Sequence, residues 1–173
     1  KKLINSSKRK YLIMAEAKKS ALFVCLGNIC RSPIAEAVFM DEVKQAGQED
    51  KWTIDSAAIG GWHAGNNPDY RARGTMEKHN LPYSNRARQI KKDDFNKFNY
   101  IFGMDDENIS DLKERAPPKS TAKILLLGDF DPEGQKIIRD PYYDSGSDGF
   151  EQCYIQCVRS CKAFLAKTTE GSI

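Results

Sequence analysis

Only two histidines, His63 and His79, occur in the 173 residues, and none of the five cysteines forms a Cys-x-x-Cys pair. A structural zinc site needs four ligands of these types at close spacing, so none is expected. No apolar run approaches the roughly 18–20 residues of a membrane-crossing helix, so no stable membrane insertion is expected. The opening stretch KKLINSSKRKYLIMAEAKKS lacks the apolar centre and small-residue cleavage site of a secretory signal. With an odd cysteine count, that absence points to reduced thiols and a cytoplasmic protein. Positive charge is also scarce outside one end. The formal net charge is +3, but residues 1–19 hold seven cations against Glu16 alone, which leaves the rest of the chain at −3. A mildly acidic body is no surface for nucleic acid. Residues 1–19 are expected to be a basic, disordered extension, 20–168 a single domain and 169–173 a tail.

What is present alternates between short apolar runs and amphipathic stretches. SALFVC (20–25), WTIDSA (52–57), FNYIFGM (98–104) and KILLL (123–127) have strand character. Helices are expected over 33–46, 68–80, 105–116 and 150–167, the first with Ser32 as N-cap, Pro33 at the first helical position and Gly47 as the stop. Residues 129–149 form a long loop rich in Asp, Gly and Pro. This order predicts one doubly wound α/β domain, a four-stranded parallel sheet flanked by helices. Ligands of such sheets bind beyond the carboxyl ends of the strands, where the loop after the first strand lies.

Two stretches share one skeleton, Cys-x5-Arg-Ser: CLGNICRS at 25–32 and CYIQCVRS at 153–160. The first runs from a strand to a helix N-terminus, where unpaired N–H groups and the positive end of the helix dipole form an anion site. Gly27 and Asn28 tolerate the left-handed backbone that lets those N–H groups converge. Arg31 adds a fork for two phosphate oxygens, and the setting favours the thiolate of Cys25. The second stretch has no glycine, and Cys153, Cys157 and Cys161 recur at i, i+4, i+8 as one face of a helix whose N–H groups are already paired. It reads as core packing. The alternative for the first stretch is a tight turn around a buried cysteine; the preceding strand, Gly-Asn and Ser-Pro together favour chemistry.

FVCLGNICRSP (23–33) and DPYY (140–143), with IDS (54–56), GMD (103–105) and QCVRSCKAFL (156–165), resemble the low-molecular-weight protein tyrosine phosphatase family from about Met14 to about Lys167. The resemblance implies a hydrolase without metal or cofactor that cleaves phosphotyrosine in proteins and small aryl phosphates through a cysteinyl-phosphate intermediate. Position by position, it makes Cys25 the nucleophile and Asp140 the general acid, then base. Arg31 and the backbone of Leu26, Gly27, Asn28, Ile29 and Cys30 would hold phosphate or another oxyanion. Ser32 would stabilise the thiolate, and Asn28, Ser56, Asn85 and Asp105 would support the loop. Trp62, Tyr142 and Tyr143 would wall the cleft, and the tyrosines could themselves be phosphorylated. Cys30 would be a redox partner for Cys25. From composition alone, Asp140 reads equally as a solvated Asp-Pro turn, the three aromatics as surface residues, and Cys30 as a small filler beneath the loop.

The chain departs from the family pattern at NRARQ (85–89), where Asn85 stands in place of a loop-bracing histidine, and around Trp62 in GGWHA (60–64). His79 reads as a structural helix residue. Arsenate reduction on the same scaffold would need resolving cysteines near mid-chain, and residues 81–122 contain none. A phosphotyrosine-binding module would not need nucleophile, arginine and acid together.

Overall fold

The computed structural model describes residues 17–173, so the expected extension over 1–16 lies outside the described residues. β1 (Lys19–Cys25) sits at the centre of the sheet. Its side chains alternate between two cores: Ala21, Phe23 and Cys25 enter one, Leu22 and Val24 the other. A strand buried on both faces is what a parallel sheet with helices on each side requires.

β1 pairs in parallel with β2 (Trp52–Ala58) and with β3 (Tyr100–Gly103), and β3 with β4 (Lys123–Leu126), giving the order β2-β1-β3-β4. This is the four-stranded parallel α/β fold expected above. The chain leaves β1 toward β2 and returns to the other side for β3, so the loop after β1 lies where the winding reverses. On the Phe23 face pack α1 (Arg31–Gln45), α2 (Tyr70–Lys78) and α5 (Asp148–Thr169). On the Leu22 face, α3 (Asp94–Lys97) and α4 (Asp106–Arg115) supply Phe95 and Leu112. Phe164 of α5 meets Phe102 edge-on at 4.7 Å, and Phe102 stacks on Phe23 at 5.3 Å.

Most boundaries shift by one or two residues from the sequence reading, and three of the shifts have a visible cause or consequence. Lys19, assigned to the extension, begins β1 and donates from Nζ to the Thr168 carbonyl at 3.0 Å. α5 continues through Thr169, and Ile173 of the expected tail packs against the core. α1 begins at Arg31 rather than Pro33, with Cys30 at the cap position and no side-chain cap. The reason is that the Ser32 hydroxyl is already engaged by the loop, as shown below. Pro33 still lies in the first turn, where its missing N–H costs nothing. Gly47 does follow the helix end, in the left-handed conformation (φ 65°).

Candidate active site

Residues 26–30 bridge the end of β1 and the start of α1. Their carbonyls turn outward: those of Cys25, Leu26 and Ile29 accept from the N–H groups of Ile59, Gly60 and Asp69. The N–H groups of Gly27, Asn28, Ile29 and Cys30 make no hydrogen bond within the described residues. Donors left over at the N-terminus of a 15-residue helix form a cradle for an anion.

Of the two residues expected to tolerate a left-handed backbone, Asn28 adopts it (φ 55°) and Gly27 does not. Gly27 gives close approach instead: a Cβ there would come within 2.9 Å of His63 Cδ2, so a larger residue would require the His63 ring to shift. Asn28 is buried, and its amide donates to Ser32 Oγ (2.8 Å) and Ser56 Oγ (2.9 Å) and accepts from the Arg88 N–H (3.0 Å). Ser32 Oγ lies 3.1 Å from Cys25 Sγ. Since Ser32 accepts from Asn28, its own proton is free for the sulfur. Ser56 accepts from Asn28 and donates to Glu36 Oε2.

The Arg31 side chain is almost wholly buried. Nη1 donates to Asp105 Oδ2 and to the Ile138 carbonyl (3.1 Å), and Nη2 donates to Asp140 Oδ2 at 3.1 Å. Its Nε has no partner among the described residues. Burial by itself would push the guanidinium pKa down, but the negative charge of Cys25, Asp140 and Asp105 outweighs it and holds the pKa above its ordinary value. Asp105 does two jobs, since its Oδ1 also caps α4 by accepting from the Asn108 N–H.

Cys25 and Asp140 line one cavity of about 100 Å³ together with Leu26, Gly27, Ile29, Cys30, Trp62, His63, Tyr142 and Tyr143. The structure thus brings the three expected aromatics to one mouth, with Trp62 and Tyr143 largely exposed. Cys30 is buried beside Cys25, and burial, with the nearby negative charge of Cys25, Asp140 and Asp69, pushes its thiol pKa far up. Asn85 does not touch the loop. It donates to Glu36 Oε1, while Ser56 and Tyr83 donate to Glu36 Oε2, so any support it lends passes through Glu36. Cys153, Cys157 and Cys161 are buried in α5, and Arg159 pairs with Asp131 and Glu133 away from the cavity.

The family model described as low molecular weight phosphotyrosine protein phosphatase matches residues 20–171. The chain belongs to this family. Its members are phosphate monoester hydrolases. It is 55% identical over 157 residues to the low molecular weight phosphotyrosine protein phosphatase of Homo sapiens, covering 89% of this chain and 99% of the human one. Among solved structures, Primo-1 is 51% identical with a TM-score of 0.85, covering 87% of this chain and 99% of that one. A Drosophila arginine phosphatase is 38% identical with a TM-score of 0.82, covering 86% and 96%.

Sequence reasoning about this low-molecular-weight phosphatase missed Glu36, Tyr83 and His63. A glutamate inside a helix reads as solvated, and nothing in PIAEAV marks Glu36 as fully buried. It also missed Asp69 and Arg71, although Asp69 stands where a helix cap would, one residue after Pro68. His79 has the structural role expected of it, stacked on Tyr154 at 3.6 Å with Nε2 2.6 Å from Glu151 Oε1, joining α2 to α5.

Proposed function

We propose that this chain is a protein tyrosine phosphatase that works through a phosphorylated Cys25. The observation that carries the reading is convergence: Cys25 and Asp140 open on one cavity, Arg31 Nη2 lies 3.1 Å from Asp140, and Arg31 Nε is left without a partner among the described residues. A phosphate supplies the acceptors that this nitrogen and the unbonded loop N–H groups lack. In the first step the Cys25 thiolate attacks phosphorus, the bond to the aryl oxygen breaks, and Asp140 gives that oxygen its proton. In the second, Asp140 takes a proton from water, whose oxygen attacks the phosphocysteine, releasing inorganic phosphate and the thiolate. Arg31 and the loop N–H groups hold the oxygens on which charge redistributes, and the Ser32 hydroxyl stabilises the departing sulfur. Asn28, Ser56, Glu36 and Asn85 keep the loop in shape, and Asp105 orients Arg31. Residues of this chain suffice for each proton and charge, so no cofactor is invoked.

Leu26, Ile29, Trp62, Tyr142 and Tyr143 present apolar faces to an aryl ring, which favours phosphotyrosine proteins as substrates. Phosphoarginine is the competing substrate, and Asp140 is the one carboxylate in the lining to meet its guanidinium. Cys30, held as a neutral thiol, stays out of phosphoryl transfer and is placed to pair with an oxidised Cys25 in a reducing, cytoplasmic setting. The test is p-nitrophenyl phosphate turnover by wild type, Cys25→Ser and Asp140→Ala, followed by phosphotyrosine and phosphoarginine peptides. Cys25→Ser should abolish turnover, and Asp140→Ala should lower it by about 10²–10⁴-fold. Turnover independent of Cys25 would sink the mechanism, and preference for phosphoarginine would replace the substrate.

A further inference from the structure

We propose that Asp69 and Arg71 form a clamp fixing the loop that carries Asp140 to the loop that carries Cys25, which makes Arg71 a positioning residue for proton transfer. The inference rests on Asp140 being the acid. Asp140 belongs to a stretch without regular structure, so its carboxylate is only as well placed as the backbone on either side. Before it, the loop is anchored at Ile138, whose N–H donates to the Met104 carbonyl (2.9 Å) and whose carbonyl accepts from Arg31. After it, among the described residues, the hydrogen bonds from outside the loop to residues 141–146 come from one side chain. Arg71 Nη2 donates to the Tyr142 carbonyl (2.9 Å) and Nη1 to the Asp144 carbonyl (2.6 Å).

Arg71 is itself locked. Its guanidinium lies over the Phe150 ring at 4.5 Å, and the side chain as a whole is only 9% exposed. Asp69 Oδ1 accepts from Arg71 N and Nε, and Oδ2 accepts from Nη2 at 2.9 Å. A planar fork held by one carboxylate while reaching two carbonyls is a task lysine cannot duplicate. The link to the nucleophile is the Asp69 backbone, whose N–H donates to the Ile29 carbonyl at 2.8 Å. Three successive contacts, Ile29 to Asp69, Asp69 to Arg71 and Arg71 to the Tyr142 and Asp144 carbonyls, therefore join the cysteine loop to the acid loop, independently of the Arg31–Asp140 pair. Aryl transfer needs the acid within hydrogen-bond reach of the leaving oxygen as sulfur attacks, and a misplacement of about 1 Å costs on the order of 10²-fold.

The test compares kcat/KM for phenyl phosphate, whose leaving group needs a proton, with that for 2,4-dinitrophenyl phosphate, whose leaving group departs as a stable anion. Wild type, Asp140→Ala, Arg71→Met and Arg71→Lys are measured in parallel. Arg71→Met should lose at least about tenfold on phenyl phosphate and less than about threefold on the dinitrophenyl ester. Arg71→Lys should regain part of the loss, since one carbonyl remains within reach. Equal losses on both esters, while Asp140→Ala shows the selective pattern, would mean that Arg71 merely supports the fold and would overturn the proposal. An Asp140→Ala variant without selectivity overturns the acid assignment and the clamp with it. Should Arg71→Met not fold, Arg71→Lys carries the same comparison: selective loss supports the clamp, and equal or no loss refutes it.

Discussion

Asn28 holds a left-handed backbone while its amide joins Ser32, Ser56 and Arg88, so one side chain replaces a turn's worth of hydrogen bonds around the cysteine loop. Asn28→Ala adds backbone strain of about 1–2 kcal/mol to the loss of those bonds, whereas Asn28→Gly loses the bonds alone. Both variants should turn over p-nitrophenyl phosphate at least about tenfold more slowly. Only the alanine variant should carry the extra instability, read by urea unfolding; equal stabilities would mean that the backbone is unstrained. Glu36 gives a second residue-scale expectation. Its burial raises the carboxyl pKa, against the hydrogen bonds from Ser56, Tyr83 and Asn85, which lower it. The folded protein therefore keeps a proton that the unfolded chain releases. That contribution is complete below the ordinary carboxyl pKa of about 4.3 and is lost as pH rises through the raised folded value. Glu36→Gln is uncharged throughout, and Asn85 can turn its amide to match. As pH rises above about 4.3, the melting temperature of Glu36→Gln should rise relative to that of wild type, until Glu36 of the folded protein is itself ionised. A constant difference would remove Glu36 as a titrating group.

At the scale of elements, α1 and α5 show why one motif offers an anion cradle and its twin does not. α1 starts immediately after a loop whose N–H groups are unspent, whereas CYIQCVRS lies within the 22-residue α5. Cys161 is fully buried there. Cys161→Ser should cost about 1–3 kcal/mol by placing a hydroxyl in an apolar core, while kcat/KM of the folded protein stays unchanged. A thermal melt beside a turnover assay checks this, and impaired turnover of folded Cys161→Ser would return the second stretch to consideration. The strands were legible because runs such as ALFV are apolar on both faces, as a central parallel strand demands. The start of α1 was not, because the commitment of Ser32 to Asn28 and Cys25 is a contact across the loop that local propensity cannot register. α3 escaped for a different reason, since four residues are too short to express a helical period. In the candidate site, local cues marked the cysteine loop. They could not mark Glu36 or Arg71, whose partners are 20 and about 70 positions away.

For the molecule as a whole, Phe164 is where the layers meet. Its ring contacts Phe39, Trp52, Tyr100, Phe102 and Phe130, drawn from α1, β2, β3 and the turn after β4. Phe164→Ala should cost about 3–5 kcal/mol, a large share of the roughly 5–15 kcal/mol typical of a domain. Equilibrium urea unfolding measures it, and a loss under about 1 kcal/mol would show that the cluster does not hold α5 to the sheet.

The central position of β1 also bears on how the protein comes into being. β1 is synthesised before both of its sheet neighbours and must wait for them: its pairing with β2 joins Lys19 to Trp52, and its pairing with β3 joins Ala21 to Tyr100. Contacts so distant along the chain make for slow assembly, with apolar edges left uncovered meanwhile. Cys25 leaves the ribosome long before Asp140 and α5, so a growing chain carries the cysteine loop well before the far side of the cavity exists or α5 can close the core over β1.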